Sequence, residues 1–286
     1  MIITDDLVML NFPKTGSTFA REVFKRVYNE RESRLHKLLV KAGLANPCIQ
    51  DLLLPQIDEE TRRGAKAQHG TLRQIPAEHR HKPIVSIMRN PFSRYVSLYL
   101  FRWWEKVPLA GKSELLERFP HYPDLSFAEY YELEHLYGRK NRLRGIAPKI
   151  DVGLQSLQFI LFFFPDPESV LKKIDDEYIA KGRYREDMAS IHFLHQENLN
   201  RELKEFLVGI GMNRQALAFI DSMGKVNETE KKPGDGNDRD YYAGTALQDK
   251  ILEHDRLLFA IFPEYLPDNA CAQPSQVSLR GVSDNL

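Results

Sequence analysis

Leu7-Val8-Met9-Leu10-Asn11-Phe12-Pro13-Lys14-Thr15-Gly16-Ser17-Thr18 is the stretch on which the reading of this chain turns. Its first six residues form a short, mostly apolar run, the pattern of a buried strand. Residues 13–17 break that run and read as a loop. Over residues 18–29 the spacing changes. Phe19, Val23 and Val27 form one stripe, with Ala20, Phe24 and Tyr28 beside it, so the period is helical. Strand, glycine-containing loop and helix together make an anion cradle, because the loop amides stand at the positive end of a helix dipole. Gly16 lets the backbone approach closely, Ser17 and Thr18 add hydroxyl donors, and Lys14 adds a mobile positive charge. The loop differs from the nucleotide-kinase pattern GxxxxGK[ST], since its lysine precedes its single glycine. Taken alone, it is equally a tight turn with a solvated lysine.

A second strand is expected over residues 83–88. It runs into Arg89-Asn90-Pro91-Phe92-Ser93-Arg94-Tyr95-Val96-Ser97. Asn90 suits a helix N-cap and Pro91 the first turn of a helix over 92–104. Arg89 stands at the strand end, and Arg94 and Ser97, three apart, share a helix face. Arg89 and Ser97 then converge on one anion, the arginine supplying a forked donor. Alone this is also compatible with a structural ion pair. Two anion loops on adjacent parallel strands imply more: a ligand with two separated phosphate-like groups.

Elsewhere the pattern predicts a third strand over 191–195 and helices over 126–137, 153–163, 167–174, 198–210 and 245–262. Residues 31–66 read as mostly helical, 108–126 as an irregular excursion, and 231–240 as a flexible loop suited to a lid. Strands alternating with helices argue for an α/β fold with a parallel sheet covered on both faces, and ligands in such sheets bind at the carboxyl ends of the strands. One domain over 1–267 and a polar tail over 268–286 account for the length.

Forty basic residues balance forty acidic ones in the 286-residue chain, which argues against a nucleic-acid partner without excluding a local basic pocket. Cys48 and Cys271 make no CxxC and no zinc pattern, and read as two free thiols of a reducing compartment. The longest apolar run, Phe159 to Phe164, is too short for a membrane span. The start of the chain carries no export signal. A cytoplasmic enzyme without a membrane partner is expected.

At this point a family resemblance is specific. Pro13-Lys14-Thr15-Gly16-Ser17-Thr18 resembles the loop that binds the 5′-phosphosulfate in sulfotransferases dependent on 3′-phosphoadenosine 5′-phosphosulfate (PAPS). Arg89-Asn90-Pro91-Phe92-Ser93-Arg94-Tyr95-Val96-Ser97 resembles their 3′-phosphate motif. Gly224-Lys225-Val226-Asn227-Glu228-Thr229 is similar to a late loop of the carbohydrate sulfotransferases. Asp255-Arg256-Leu257-Leu258-Phe259, followed by Pro263-Glu264-Tyr265, is similar to their closing helix. The motifs spread over residues 7–266. The resemblance implies a P-loop-like three-layer fold with a central parallel sheet flanked by helices. It also implies PAPS as co-substrate, no metal, and a carbohydrate or small-molecule acceptor. By it, Lys14, Thr15, Gly16, Ser17 and Thr18 hold the 5′ end, Arg89 and Ser97 the 3′ end, and Lys225 and Asn227 add nucleotide contacts.

Sulfuryl transfer is an in-line displacement, so positioning and electrostatics dominate, and the acceptor hydroxyl still needs a base. Lys14 is placed to stabilise the leaving group. Of nine histidines, His79, His81 and His121 sit in polar loops, His36, His135 and His254 in charged helical stretches, and His192 and His195 near the third strand. His69 lies just upstream of the second strand, where the resembling polysaccharide O-sulfotransferases carry their base. His36, Glu197, Glu30 and Glu32 are alternatives, as is a mechanism without a side-chain base. The rival functions are a P-loop kinase, which would need a Walker lysine and an acidic magnesium ligand, and a non-enzymatic nucleotide-binding module.

Overall fold

Thr4, Asp5, Asp6 and Leu7 decide how the sheet begins. The Thr4 N–H donates to the Leu7 carbonyl at 2.9 Å, and the Thr4 hydroxyl oxygen accepts the Leu7 N–H at 3.1 Å. A link this short has no room for a crossover, so β1 (Ile2–Thr4) and β2 (Val8–Leu10) pair antiparallel. The computed structural model describes residues 1–55, 66–224 and 237–267. β3 (Ile49–Asp51) adds to the other edge of β1, also antiparallel. β4 (Leu54–Pro55) and β5 (Lys66–Ala67) form a separate two-stranded ribbon. β6 (Ile84–Met88) lies parallel to β2, and β7 (His192–His195) parallel to β6. The five-stranded sheet therefore runs β3-β1-β2-β6-β7 in an α/β fold.

This corrects the expectation of an all-parallel sheet. The three strands found by their apolar runs are parallel, as read. The two three-residue strands that join at β1 make the sheet mixed. The helical reading of residues 31–66 is corrected with it. α1 (Ser17–Arg31) ends there and α2 (Arg34–Lys41) is short, after which β3 returns to the sheet. Residues 56–65 lie outside the described residues. Within 108–126, read as irregular, Lys112–Arg118 is helical.

The strands alternate as a sheet with two covered faces must. Ile2, Met9, Val85, Ile87 and Leu194 pack with Phe19, Val23 and Phe24 of α1 and with Leu203 and Leu207 of the helix Leu199–Gly209. Val8, Leu10 and Met88 turn the other way. They join Phe12, Tyr95 of α3 (Pro91–Phe101), and Leu157, Phe159 and Phe163 of the helix Leu154–Phe163. Burying each such side chain contributes about 1.5–3 kcal/mol. No helix among the described residues is long and apolar enough to cross a membrane.

The long helix expected over 245–262 divides into Leu247–His254 and Arg256–Ile261, with Asp255 between them. Asp255 is fully buried. One carboxylate oxygen accepts the Ser156 N–H at 2.7 Å, in the first turn of Leu154–Phe163, where a helix dipole favours negative charge. The other accepts the Tyr95 hydroxyl at 2.7 Å. A Cβ on Gly153 would stand 2.4 Å from an Asp255 oxygen, so only glycine fits there. Burial raises the Asp255 pKa, so each donor it keeps matters. Tyr95→Phe leaves the carboxylate one donor short and should lower unfolding free energy by about 1.5–3 kcal/mol in urea denaturation. An unchanged midpoint would mean that the Ser156 amide alone satisfies Asp255.

Candidate anion-binding site

β2 and β6 end side by side, held in register by the Ser86 hydroxyl, which donates to the Leu10 carbonyl at 2.8 Å. The two candidate loops leave the sheet from these adjacent carboxyl ends. In the first, Gly16 takes φ 88° and caps α1. An L side chain is strained at that φ, and a Cβ there would also meet Leu199 Cδ2 at 3.0 Å. The Phe19 N–H donates to the Gly16 carbonyl at 3.0 Å, while the Ser17 and Thr18 amides, earlier in the first turn, are the ones an anion above the helix would use. Thr15, read as a ligand contact, turns its hydroxyl inward to the Phe12 carbonyl at 2.9 Å and is fully buried. Its hydroxyl thereby shapes the loop. Ser17 and Thr18 open α1.

Lys14 also takes a positive φ, 63°. Such a backbone costs a non-glycine residue about 1–3 kcal/mol and tends to occur where the side chain's direction matters. Its Nζ lies 4.2 Å from the centroid of the Phe101 ring, which stacks on Trp103 at 5.6 Å. Burial, then the charges of Arg89 and Arg94, lower the Lys14 pKa to about 8. Three cations crowded onto two loop ends make a field that favours an anion.

Arg89 approaches the first loop directly, its Nη1 3.5 Å from the Lys14 carbonyl. Its Nε donates to the Ser93 hydroxyl at 2.9 Å. Ser93 thus joins Arg89 and Ser97, the pair expected on one anion, at this end of α3. Ser97 lies one turn further along the same face of α3 and is 8% exposed. Asn90 caps α3 as read, its side-chain oxygen accepting from Phe92 N at 2.9 Å.

Arg94 turns inward. It is completely buried beneath the first loop. Its Nε donates to the Pro13 carbonyl at 2.9 Å, Nη1 to Gln155 Oε1 at 3.1 Å and Nη2 to Gln158 Oε1 at 2.8 Å. The guanidinium also sits 4.2 Å from the Phe12 ring centroid. Burial lowers its pKa to about 10, which still leaves it charged at neutral pH. Sequence reading left Ser93, Gln155 and Gln158 out of the site. The available signal was polarity inside apolar runs: Arg94 between Phe92 and Tyr95, and Gln155 beside Leu154 and Leu157.

His69 is tied to the same strand end. Its Nδ1 lies 2.8 Å from the Asn11 carbonyl, a distance at which Nδ1–H donates and Nε2 is left as an acceptor. Burial lowers its pKa, so the neutral ring persists at pH 7. Asn11 is buried, and its amide donates to the Gln68 carbonyl at 3.1 Å, which fastens the His69 segment to the end of β2.

The alternatives to His69 are placed elsewhere. α1 starts at the candidate loop and its fifteen residues carry the chain about 21 Å away at 1.5 Å per residue, so Glu30, Glu32 and His36 stand at its far end. Glu197 is close but occupied: Oε1 accepts the Asn90 N–H at 2.8 Å and Oε2 the Tyr265 hydroxyl at 3.1 Å. Lys225 and Asn227 lie outside the described residues, as do residues 231–236 of the expected lid. The remainder of that lid begins the turn Asp238–Tyr242, which docks through the Tyr242 hydroxyl on the Phe92 carbonyl at 2.7 Å. Asp238 and Glu197 both oppose the burial-driven fall in the Arg89 pKa.

No protein-family model matches the chain, and neither the curated proteins nor the solved structures give a match. Arg94→Lys tests whether the site depends on the buried fork. A lysine cannot donate in three fixed directions, so Pro13, Gln155 and Gln158 lose donors, and stability in guanidinium chloride should fall by about 2–4 kcal/mol. A loss below about 1 kcal/mol would show that the loop is held by other contacts.

Proposed function

We propose that the chain is a PAPS-dependent sulfotransferase that transfers a sulfuryl group to a hydroxyl of a carbohydrate or small metabolite. The observation that carries this reading is the meeting of two cationic loops at the carboxyl ends of adjacent parallel strands. Arg89 on the second loop reaches the Lys14 carbonyl on the first. The parallel trio β2, β6 and β7, with cores packed on both faces, supports a P-loop-like three-layer arrangement around it.

In this reading the acceptor oxygen attacks sulfur as the bond from sulfur to the 5′-phosphate oxygen breaks, and adenosine 3′,5′-bisphosphate leaves. The loop amides about Gly16, with Ser17 and Thr18, hold the 5′-phosphate. Arg89 holds the 3′-phosphate with hydroxyls from α3: Ser93, which already meets its Nε, and Ser97 one turn on. Lys14 remains mostly protonated at pH 7 with a pKa of about 8, and faces the charge that develops on the leaving oxygen. His69 takes the acceptor proton on Nε2, while its Nδ1–H stays on the Asn11 carbonyl and fixes the ring.

Binding is the first test. Arg89→Ala should weaken adenosine 3′,5′-bisphosphate by the loss of a charge-assisted contact, about 1.5–3 kcal/mol by calorimetry, and leave adenosine 5′-phosphate much less affected. Equal weakening of both would remove the 3′-phosphate assignment. Failure of the wild type to bind adenosine 3′,5′-bisphosphate at all would remove the function.

Turnover is the second. His69→Ala should keep nucleotide affinity and cut kcat by roughly 10²–10⁴-fold with PAPS and a responsive acceptor. The sign of the pH dependence follows from burial. A base whose pKa is lowered from 6.5 stays neutral as pH falls to that value, so the acid limb of kcat should lie below pH 6.5. A folded His69→Ala variant with most of its turnover would move the base to another group.

A further inference from the structure

We infer that Glu32, His36 and Cys48 form a zinc site at the far end of α1, with solvent water completing the tetrahedron. The three residues come from three segments: the residue after α1, α2, and the residue before β3. Cys48 Sγ lies 3.6 Å from His36 Nε2. A tetrahedral zinc, with Zn–S of about 2.3 Å and Zn–N of about 2.0 Å, sets its sulfur and nitrogen ligands about 3.6 Å apart. His36 Nε2 is 3.9 Å from Glu32 Oε1, and the three ligand atoms all lie within 4.8 Å of one another.

The surroundings of the thiol suit a cation. A thiol that coordinates zinc is deprotonated outright, and its proton passes to solvent. Glu32 keeps an outer contact in either state, since its Oε1 already accepts the Cys48 N–H at 2.8 Å. His36 exchanges its 3.1 Å contact with the Asn46 carbonyl for the metal. A set of thiolate, imidazole and carboxylate favours zinc over the hard cations calcium and magnesium.

A second observation is independent of the ligand distances. α2 has eight residues and buries none of them, and Leu35 and Leu38 are 67% and 64% exposed. Helices this short are marginal without tertiary packing. A metal that joins His36 to Glu32 and Cys48 fastens α2 to the edge of the sheet, where side-chain burial does not. This site lies about 21 Å along α1 from the anion loop, so it stands or falls separately from the proposed transfer reaction.

The test is a cobalt(II) titration of the metal-stripped full chain, read by thiolate-to-cobalt charge-transfer absorption and the visible bands of tetrahedral cobalt, with zinc added as competitor. The wild type and Cys271→Ser should show both bands and lose them to zinc. Cys48→Ser should abolish the charge-transfer band. His36→Gln should lower zinc affinity by more than about tenfold, since even outer-shell losses cost 10–100-fold. Zinc should raise the Tm of the wild type and not of Cys48→Ser. A wild type without the charge-transfer band at saturating cobalt, a band that survives Cys48→Ser, or His36→Gln with unchanged affinity would overturn the site. If Cys48→Ser does not fold, the His36→Gln affinity decides, because the exposed α2 tolerates glutamine.

Discussion

A guanidinium without water must be hydrogen-bonded on every side, and Arg94 imposes that requirement on half of this molecule. Each of its three nitrogens donates once, to a loop carbonyl and to two glutamines of another helix. Because the fork is planar and rigid, those partners are fixed in direction as well as distance. Pro13 is thereby held at the start of the anion loop, and Leu154–Phe163 is held against α3. Gln155 completes the tie by donating to the Pro91 carbonyl at 2.8 Å. Asp255 does the same from below, joining Tyr95, one residue after Arg94, to the first turn of the same helix.

The consequence is a loop with little freedom carrying charges that repel one another. Lys14 sits in a left-handed backbone conformation, and its pKa is lowered by burial and by two arginines. Both features cost stability, and the rest of the fold must over-determine them for them to persist. The buried network around Arg94 supplies that rigidity. Local rules that fail together at one place in an otherwise consistent chain single that place out as the candidate site. Here the failures coincide with the ends of β2 and β6, where an open α/β sheet binds its ligands.

α1 separates two kinds of chemistry. Its start offers backbone amides, hydroxyls and cations. The residues beyond its end gather a thiol, an imidazole and a carboxylate. The length of the helix keeps the two apart, so His36 and Glu32, close to the site in sequence, are remote from it in space.

The strand–loop–helix units at residues 7–29 and 83–101 were legible in the sequence, because apolar period and capping chemistry are local: Asn90 and Pro91 start a helix wherever they stand. That the two loops are candidates for one ligand was legible too, from residue type alone. The mixed sheet was not, since three-residue strands such as Ile2–Thr4 and Ile49–Asp51 are too short to show a period and are defined only by what they pair with. Nor were the partners of polar side chains. Arg89 meets Ser93, four residues on, where the helix that Asn90 starts brings that hydroxyl to its Nε. Arg94 points inward because Gln155 and Gln158, some sixty residues away, are there to receive it. Cys48 and His36 match no metal spacing, yet the turn between α2 and β3 brings sulfur and nitrogen to 3.6 Å. Sequence period reports how a segment folds upon itself; which distant group satisfies a buried charge depends on which segments meet, and only the tertiary structure decides that.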